Sequence, residues 1–190
     1  MAMHAALIFD CDGTLIDSMP AHYRAWRDTL AIAGIDFPES RFYEWAGIPT
    51  HRIIEMLALE QGRTVNVDEL CRRKEEAFLR DLDQVPPIPV VVRVVHDHYG
   101  RVPMAVASGG LRAVILRQLE RIGLLGHFDT IVTAEDTTLH KPHPDVFLEA
   151  ARRLNVPPEQ CCVYEDADLG IEAARRAGMS WIDIRHWRTP

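Results

Sequence analysis

The apolar positions of this chain fall into short continuous runs rather than alternating ones. Five runs, at residues 5–9, 103–107, 130–133, 161–164 and 181–184, predict strands covered on both faces. Between the later runs the period becomes helical. Residues 111–122 put Leu111, Ile115, Leu119 and Ile122 on one face and stop at Gly123. Residues 144–154 open on a proline suited to a first helical turn and direct Val146, Phe147, Ala150, Ala151 and Leu154 inward. Residues 169–177 end at Gly178. Strands alternating with helices predict an α/β fold with a mainly parallel sheet in three layers.

Residues 18–86 break the alternation. They carry helical patterns at 21–33, 50–60 and 67–82 and no strand run, and the stiff segment Pro86-Pro87-Ile88-Pro89 closes them. The expected organisation is a core of residues 1–17 and 87–190 with an all-helical insert over 18–86, directly after the first strand. Residues 90–99 read two ways. Their valines favour a strand, yet the gap before the next strand suits a crossover helix ending at Gly100, and helix is the expectation.

The chain has 190 residues, 47% of them hydrophobic, enough for one core domain and a modest insert. A net charge of −7 excludes a general nucleic-acid binder, which needs a basic face. It still admits a small phosphorylated ligand, because one metal ion and one lysine set the local potential. Cys11, Cys71, Cys161 and Cys162 form no CxxC pair and read as reduced thiols. With no leader pattern and no run of membrane-spanning length, the expected setting is a reducing cytoplasm, as a monomer with no membrane partner.

In an open parallel sheet, ligands bind beyond the carboxyl ends of the strands. Asp10 and Asp12 follow the first strand, Ser108-Gly109-Gly110 the second, Lys141 the third at a distance, and Glu165-Asp166 the fourth. One Asp after a strand is often only a helix cap. Four such groups at one edge point to chemistry. Several carboxylates are tolerable together when a hard cation sits among them, and a small set of oxygen ligands suits Mg²⁺. Lys141 can neutralise phosphoryl oxygens. Ser108 and the backbone N–H groups of the Ser-Gly-Gly turn offer a phosphate cradle at a helix entry. One aspartate can attack phosphorus while the other moves the leaving group's proton.

The DxDGT signature at residues 10–14, Ser108, Lys141 ahead of a proline, and YEDADLGIEAARRAGM at 164–179 resemble the haloacid-dehalogenase-like (HAD) hydrolase superfamily over nearly the whole chain. AWRDTL at 25–30, GIPTHRI at 47–53, RVPMAVASG at 101–109 and PEQCCVYEDADLGIEAARRAGM at 158–179 are similar to its branch of β-phosphoglucomutases and sugar phosphatases. The resemblance implies a Rossmann-like core with a helical cap, and a phosphatase acting on a small sugar phosphate of the fructose 1-phosphate or 6-phosphogluconate type. It makes Asp10 the nucleophile that becomes an aspartyl phosphate and Asp12 the general acid/base. Thr14 and Ser108 then hold phosphoryl oxygens, and Lys141 holds the nucleophile and the transferring group. Mg²⁺ is assigned to Asp10, the Asp12 carbonyl and Asp166, with Glu165 a direct or outer ligand. An acid at Asp12 excludes the dehalogenases that name the family.

The same resemblance puts substrate reading on Gly109 beside Ser108 and on the cap residues His22, Thr50, Arg52 and Lys74. The competing assignments are a solvated helix histidine, a solvated helix arginine and, for Lys74 in CRRKEEAF, a wet helix face. Trp26 reads as packing between cap and body. The mutase branch carries an arginine where Thr50 stands, to grip a second phosphate. Its absence favours a phosphatase over the alternative, a β-phosphoglucomutase. A receiver-type phospho-aspartate signalling module shares the residue types, but it is shorter and has no helical insert.

Overall fold

The computed structural model describes residues 4–187. Five strands, β1 (Ala6–Phe9), β2 (Met104–Ala107), β3 (Thr130–Val132), β4 (Cys161–Glu165) and β5 (Ser180–Asp183), form one sheet. All pair in parallel, in the order β3-β2-β1-β4-β5. The first four of the five α-helices between β1 and β2 are α1 (Met19–Ile32), α2 (Glu39–Glu44), α3 (Thr50–Glu60) and α4 (Val67–Asp81). Four more flank the sheet: α5 (Pro89–His98), α6 (Arg112–Arg121), α7 (Asp145–Leu154) and α8 (Asp168–Arg176).

The three central strands are buried along their whole length, which is why their apolar residues run without a break. Successive side chains alternate between faces, and each face has its own cover. Leu7, Phe9, Met104, Val106 and Tyr164 pack with Val91 and Val95 of α5 and Ile115 and Leu119 of α6. Ile8, Ala105, Ala107 and Val163 pack on the other side with Val146, Phe147 and Ala150 of α7 and Ala173 of α8. The chain runs outward from β1 to β3, then returns to the far side of β1 for β4 and β5. That reversal opens a crevice over the carboxyl ends of the central strands.

Most of the 90–99 stretch is helical, as α5, which ends at His98. Val91 and Val95, four residues apart, are fully buried, so burial of one helical face outweighs the β preference of valine. Periodicity did not reveal α2, whose six residues bury only Phe42. Helices α1 to α4 gather a separate apolar cluster that includes Met19, Leu30, Phe37, Ile54 and Leu57. Trp26 belongs to it, edge-on to Phe37 with centroids 5.5 Å apart, and so packs within the helical segment rather than between it and the sheet. The chain enters and leaves this segment through adjacent crossings, tied by Asp17 N–H donating to Pro86 O and Ile88 N–H to Leu15 O, both at 2.9 Å. Cys11, Cys161 and Cys162 are buried free thiols and Cys71 is half-buried. Among the described residues, no helix is long and apolar enough to cross a membrane.

Candidate active site

The turn after β1 delivers both aspartates to the crevice. Gly13 makes it possible: its φ is 82°, in the left-handed region, and a Cβ there would lie 2.2 Å from Asp166 Oδ2. The backbone then loops back, with Gly13 N–H donating to Ile16 O at 2.9 Å.

Asp10 is buried at the end of β1, and its Oδ1 accepts from Lys141 Nζ at 2.7 Å. The same ammonium donates to Glu165 Oε1 at 2.6 Å. Glu165 Oε2 accepts the backbone N–H groups of Asp166 and Ala167, at 2.6 and 2.8 Å. Both Glu165 oxygens are therefore engaged, and the carboxylate anchors Lys141. Asp166 Oδ1 accepts from Thr14 Oγ1 at 2.9 Å.

Asp10, Glu165 and Asp166 offer carboxylate oxygens within 4.8 Å of one another. One lysine offsets one of these three charges. Burial pushes the Asp10 carboxyl well up; Lys141 opposes this, while Glu165 and Asp166 add to it. Burial alone would lower Lys141, but Asp10 and Glu165 outweigh it and hold the ammonium charged. The remaining negative charge, presented entirely on oxygen, is the donor chemistry that a hard divalent cation neutralises. The cluster can hold such an ion.

Asp12 has a different setting. Its Oδ1 accepts from Ser18 Oγ at 2.6 Å and Gln118 Nε2 at 2.7 Å, and lies 2.8 Å from His22 Nε2. Burial favours the neutral acid, but His22, Ser18 and Gln118 more than offset it and hold Asp12 below the usual carboxylate range. His22 Nδ1 lies 3.1 Å from Lys74 Nζ. An ammonium only donates, so Nδ1 accepts and the ring proton sits on Nε2, facing Asp12. His22 stacks on Phe78, centroids 3.7 Å apart. It is buried and tied to the site, not solvated.

A cavity lies between the helical segment and the sheet edge, lined in part by Asp10, Asp12, His22, Lys74, Ser108 and Gly109. Thr50 lines it too, with Oγ1 donating to Glu75 Oε1 at 2.7 Å. Lys74 is buried there, which removes the wet-face assignment. Arg52 is the exception: exposed, it pairs with Glu55 at 3.1 Å and does not line the cavity. The phosphate cradle is also narrower than expected. Gly110 N–H donates to Ser108 Oγ at 3.0 Å, and Arg112 N–H, at the start of α6, donates to Glu135 at 2.9 Å. Ser108 and Gly109 remain at the cavity wall, while Thr14 is fully buried with its hydroxyl committed to Asp166.

Three residues of this arrangement escaped the sequence reading: Ser18, Glu75 and Gln118. Gln118 carried a signal, because it interrupts the apolar stripe of α6 between Ile115 and Ile122. Cys11 is fully buried and donates its thiol to Gln118 Oε1 at 2.9 Å.

A family model described as haloacid dehalogenase-like hydrolase matches residues 7–184. The fructose-1-phosphate phosphatase YqaB of Escherichia coli (strain K12) is 42% identical over 183 residues, 96% of this chain and 97% of that protein. The 6-phosphogluconate phosphatase of the same organism is 30% identical over 94% of this chain and 81% of its own length. The solved structure of a beta-phosphoglucomutase from Clostridium difficile shares the fold with a TM-score of 0.87 at 26% identity, covering 95% of this chain and 84% of that one. These matches make the protein an enzyme, a phosphoric monoester hydrolase. With the family match running from the first strand to the last across the sheet edge that carries the acids, the chain belongs to the haloacid dehalogenase-like hydrolases.

Proposed function

We propose that this chain is a Mg²⁺-dependent phosphatase that hydrolyses a small sugar phosphate, of the fructose 1-phosphate or 6-phosphogluconate type, through an aspartyl phosphate on Asp10. The observation that carries this reading is the separation of two aspartates into two electrostatic settings. Asp10 sits with Lys141 in the acid cluster, and Asp12 sits in a neutral and basic hydrogen-bond network. Paired carboxylates held in different environments are the mark of divided roles.

A free oxygen of Asp10 attacks phosphorus, and the ester P–O bond breaks. The leaving alkoxide takes its proton from Asp12, which enters this step in its protonated form and is oriented by His22, Ser18 and Gln118. Water then attacks the acyl phosphate, Asp12 accepts its proton, and phosphate leaves with Asp10 restored. Lys141 neutralises charge on the transferring group, and Ser108 with Gly109 receives phosphoryl oxygens. Asp10, Asp166 and the Asp12 carbonyl would hold Mg²⁺, which when bound offsets the negative charge of nucleophile and phosphate together. Glu165 supports Lys141 from behind. In this reading residues 18–86 act as a cap that closes the cavity over residues 1–17 and 87–190.

The likeness to a mutase structure supports a second reading, a β-phosphoglucomutase. Incubation with β-glucose 1-phosphate, fructose 1-phosphate and 6-phosphogluconate in the presence of Mg²⁺ separates the two. Free phosphate and dephosphorylated sugar are expected. Conversion of β-glucose 1-phosphate to glucose 6-phosphate without phosphate release would instead establish the mutase.

A further inference from the structure

We infer that Glu75 sets the selectivity of the cavity by charge. The site accepts phosphate monoesters whose far end is an uncharged polyol and rejects those whose far end bears a second anion. This rests on the phosphatase reading above and narrows it.

Away from the sheet edge, the cavity lining includes the polar side chains of Thr50, Lys74 and Glu75. Lys74 is the cation that a second anion would need, and its donors are already committed. Its Nζ lies 3.1 and 3.2 Å from the two oxygens of Glu75 and 3.1 Å from His22 Nδ1. Beyond these it meets the rings of Trp26 and Phe78, at 5.2 and 5.9 Å. An ammonium has three N–H groups, so little remains for a ligand.

The nearby arginines do not help. Arg52 pairs with Glu55, and Arg73 pairs with Glu69 on the exposed side of α4. Glu75, by contrast, is buried on the cavity wall, where Thr50 and Lys74 both donate to it. Its oxygens have acceptor capacity left for sugar hydroxyls. A hydroxyl can therefore dock against Glu75 and gain a charge-assisted hydrogen bond. A carboxylate or second phosphate meets a like charge in a site with poor screening, and the adjacent cation, Lys74, is already shared.

The consequence divides the two candidate substrate types. Fructose 1-phosphate ends in hydroxyl groups, whereas 6-phosphogluconate ends in a carboxylate. It also disfavours a hexose bisphosphate, which a mutase must hold.

The test uses two matched pairs of esters with saturating Mg²⁺. Sorbitol 6-phosphate and 6-phosphogluconate differ only in a terminal hydroxymethyl against a carboxylate. Fructose 1-phosphate and fructose 1,6-bisphosphate differ by the second phosphate. The expected wild-type kcat/KM favours the neutral member of each pair by about tenfold or more, the scale of one poorly screened like-charge contact. Glu75→Gln keeps the side-chain shape and should shrink both ratios at least about threefold, chiefly by lowering KM for the anionic member. Equal turnover, or preference for the anionic members by the wild type, overturns the assignment without recourse to any variant. So does a Glu75→Gln enzyme that retains the wild-type ratios. If none of the four esters releases phosphate, the phosphatase reading falls and this one falls with it.

Discussion

Asp12 shows how much a single carboxyl depends on neighbours far away in the chain. Ser18 and His22 come from the start of α1, one just before its first residue and one within it, but Gln118 arrives from α6, on the other side of the helical segment. Replacing Gln118 with leucine removes one hydrogen bond to the carboxylate and keeps the buried volume. Asp12 then becomes easier to protonate, so the alkaline limb of kcat/KM, where Asp12 loses the proton it gives to the leaving group, should move up by about one pH unit relative to wild type on the same substrate. We expect kcat to fall about tenfold with KM nearly unchanged, because orientation of the acid/base matters most in the transition state. An unmoved limb would remove Gln118 from this role. Residue-level legibility followed helical faces. Lys74 stands in line with Leu70 and Phe78, four residues to either side and both buried, so its place in a basic run masked its position on the inner face. Arg52 lies just outside the stripe of Ile53, Ile54 and Leu57, and it is accordingly exposed.

Among the elements, the long periodic ones were legible and the short ones were not. Strand runs and the helices that cover them emerge from apolar patterning because both faces of the sheet are buried. Helix α2 has too few residues to display a period, and Thr133, read as the end of a strand, instead opens the 3-10 turn Ala134–Asp136. Asp136 in that turn ties three elements together. It accepts from Thr133 N–H at 2.8 Å and from Arg153 of α7 at 2.7 Å, and it pairs with Arg112 of α6. Burial pushes this carboxyl up, but Arg153, Thr133 and Arg112 outweigh it and hold it at about 2, against an ordinary 3.8. A carboxyl with a depressed folded value stabilises fully above its unfolded value, and that contribution is lost as pH falls through the folded one. Asp136→Asn should therefore cost about 1–2 kcal/mol at neutral pH. Below pH 4 its stability should converge on that of wild type, as followed by denaturant unfolding across pH. A constant difference down to pH 2 would contradict the assignment.

At the scale of the whole molecule, the fold concentrates negative charge where most of the chain is apolar. Asp10, Glu165 and Asp166 lie at the carboxyl ends of β1 and β4, brought together because those strands are neighbours, and Lys141 reaches them from the segment after β3. The motifs disclosed these residues, but not the division of labour among them. Glu165 proves to hold Lys141 and two backbone amides, a role set by three-dimensional approach rather than by residue type. The opening over this edge is closed by helices whose own apolar cluster is separate from the sheet's. The cavity therefore depends on how these helices meet the sheet edge, which no local pattern records. Everything proposed for the reaction rests on Asp10 attacking phosphorus beside a bound cation. Phosphate release from fructose 1-phosphate by wild type and Asp10→Asn, each with Mg²⁺ and with excess chelator, tests that claim most directly. We predict turnover by wild type with Mg²⁺, none with chelator, and recovery on adding Mg²⁺ back. Asp10→Asn should lose at least about 10³-fold in kcat while still unfolding in one cooperative transition. Near-normal turnover by Asp10→Asn, or undiminished wild-type turnover in chelator, would contradict the account.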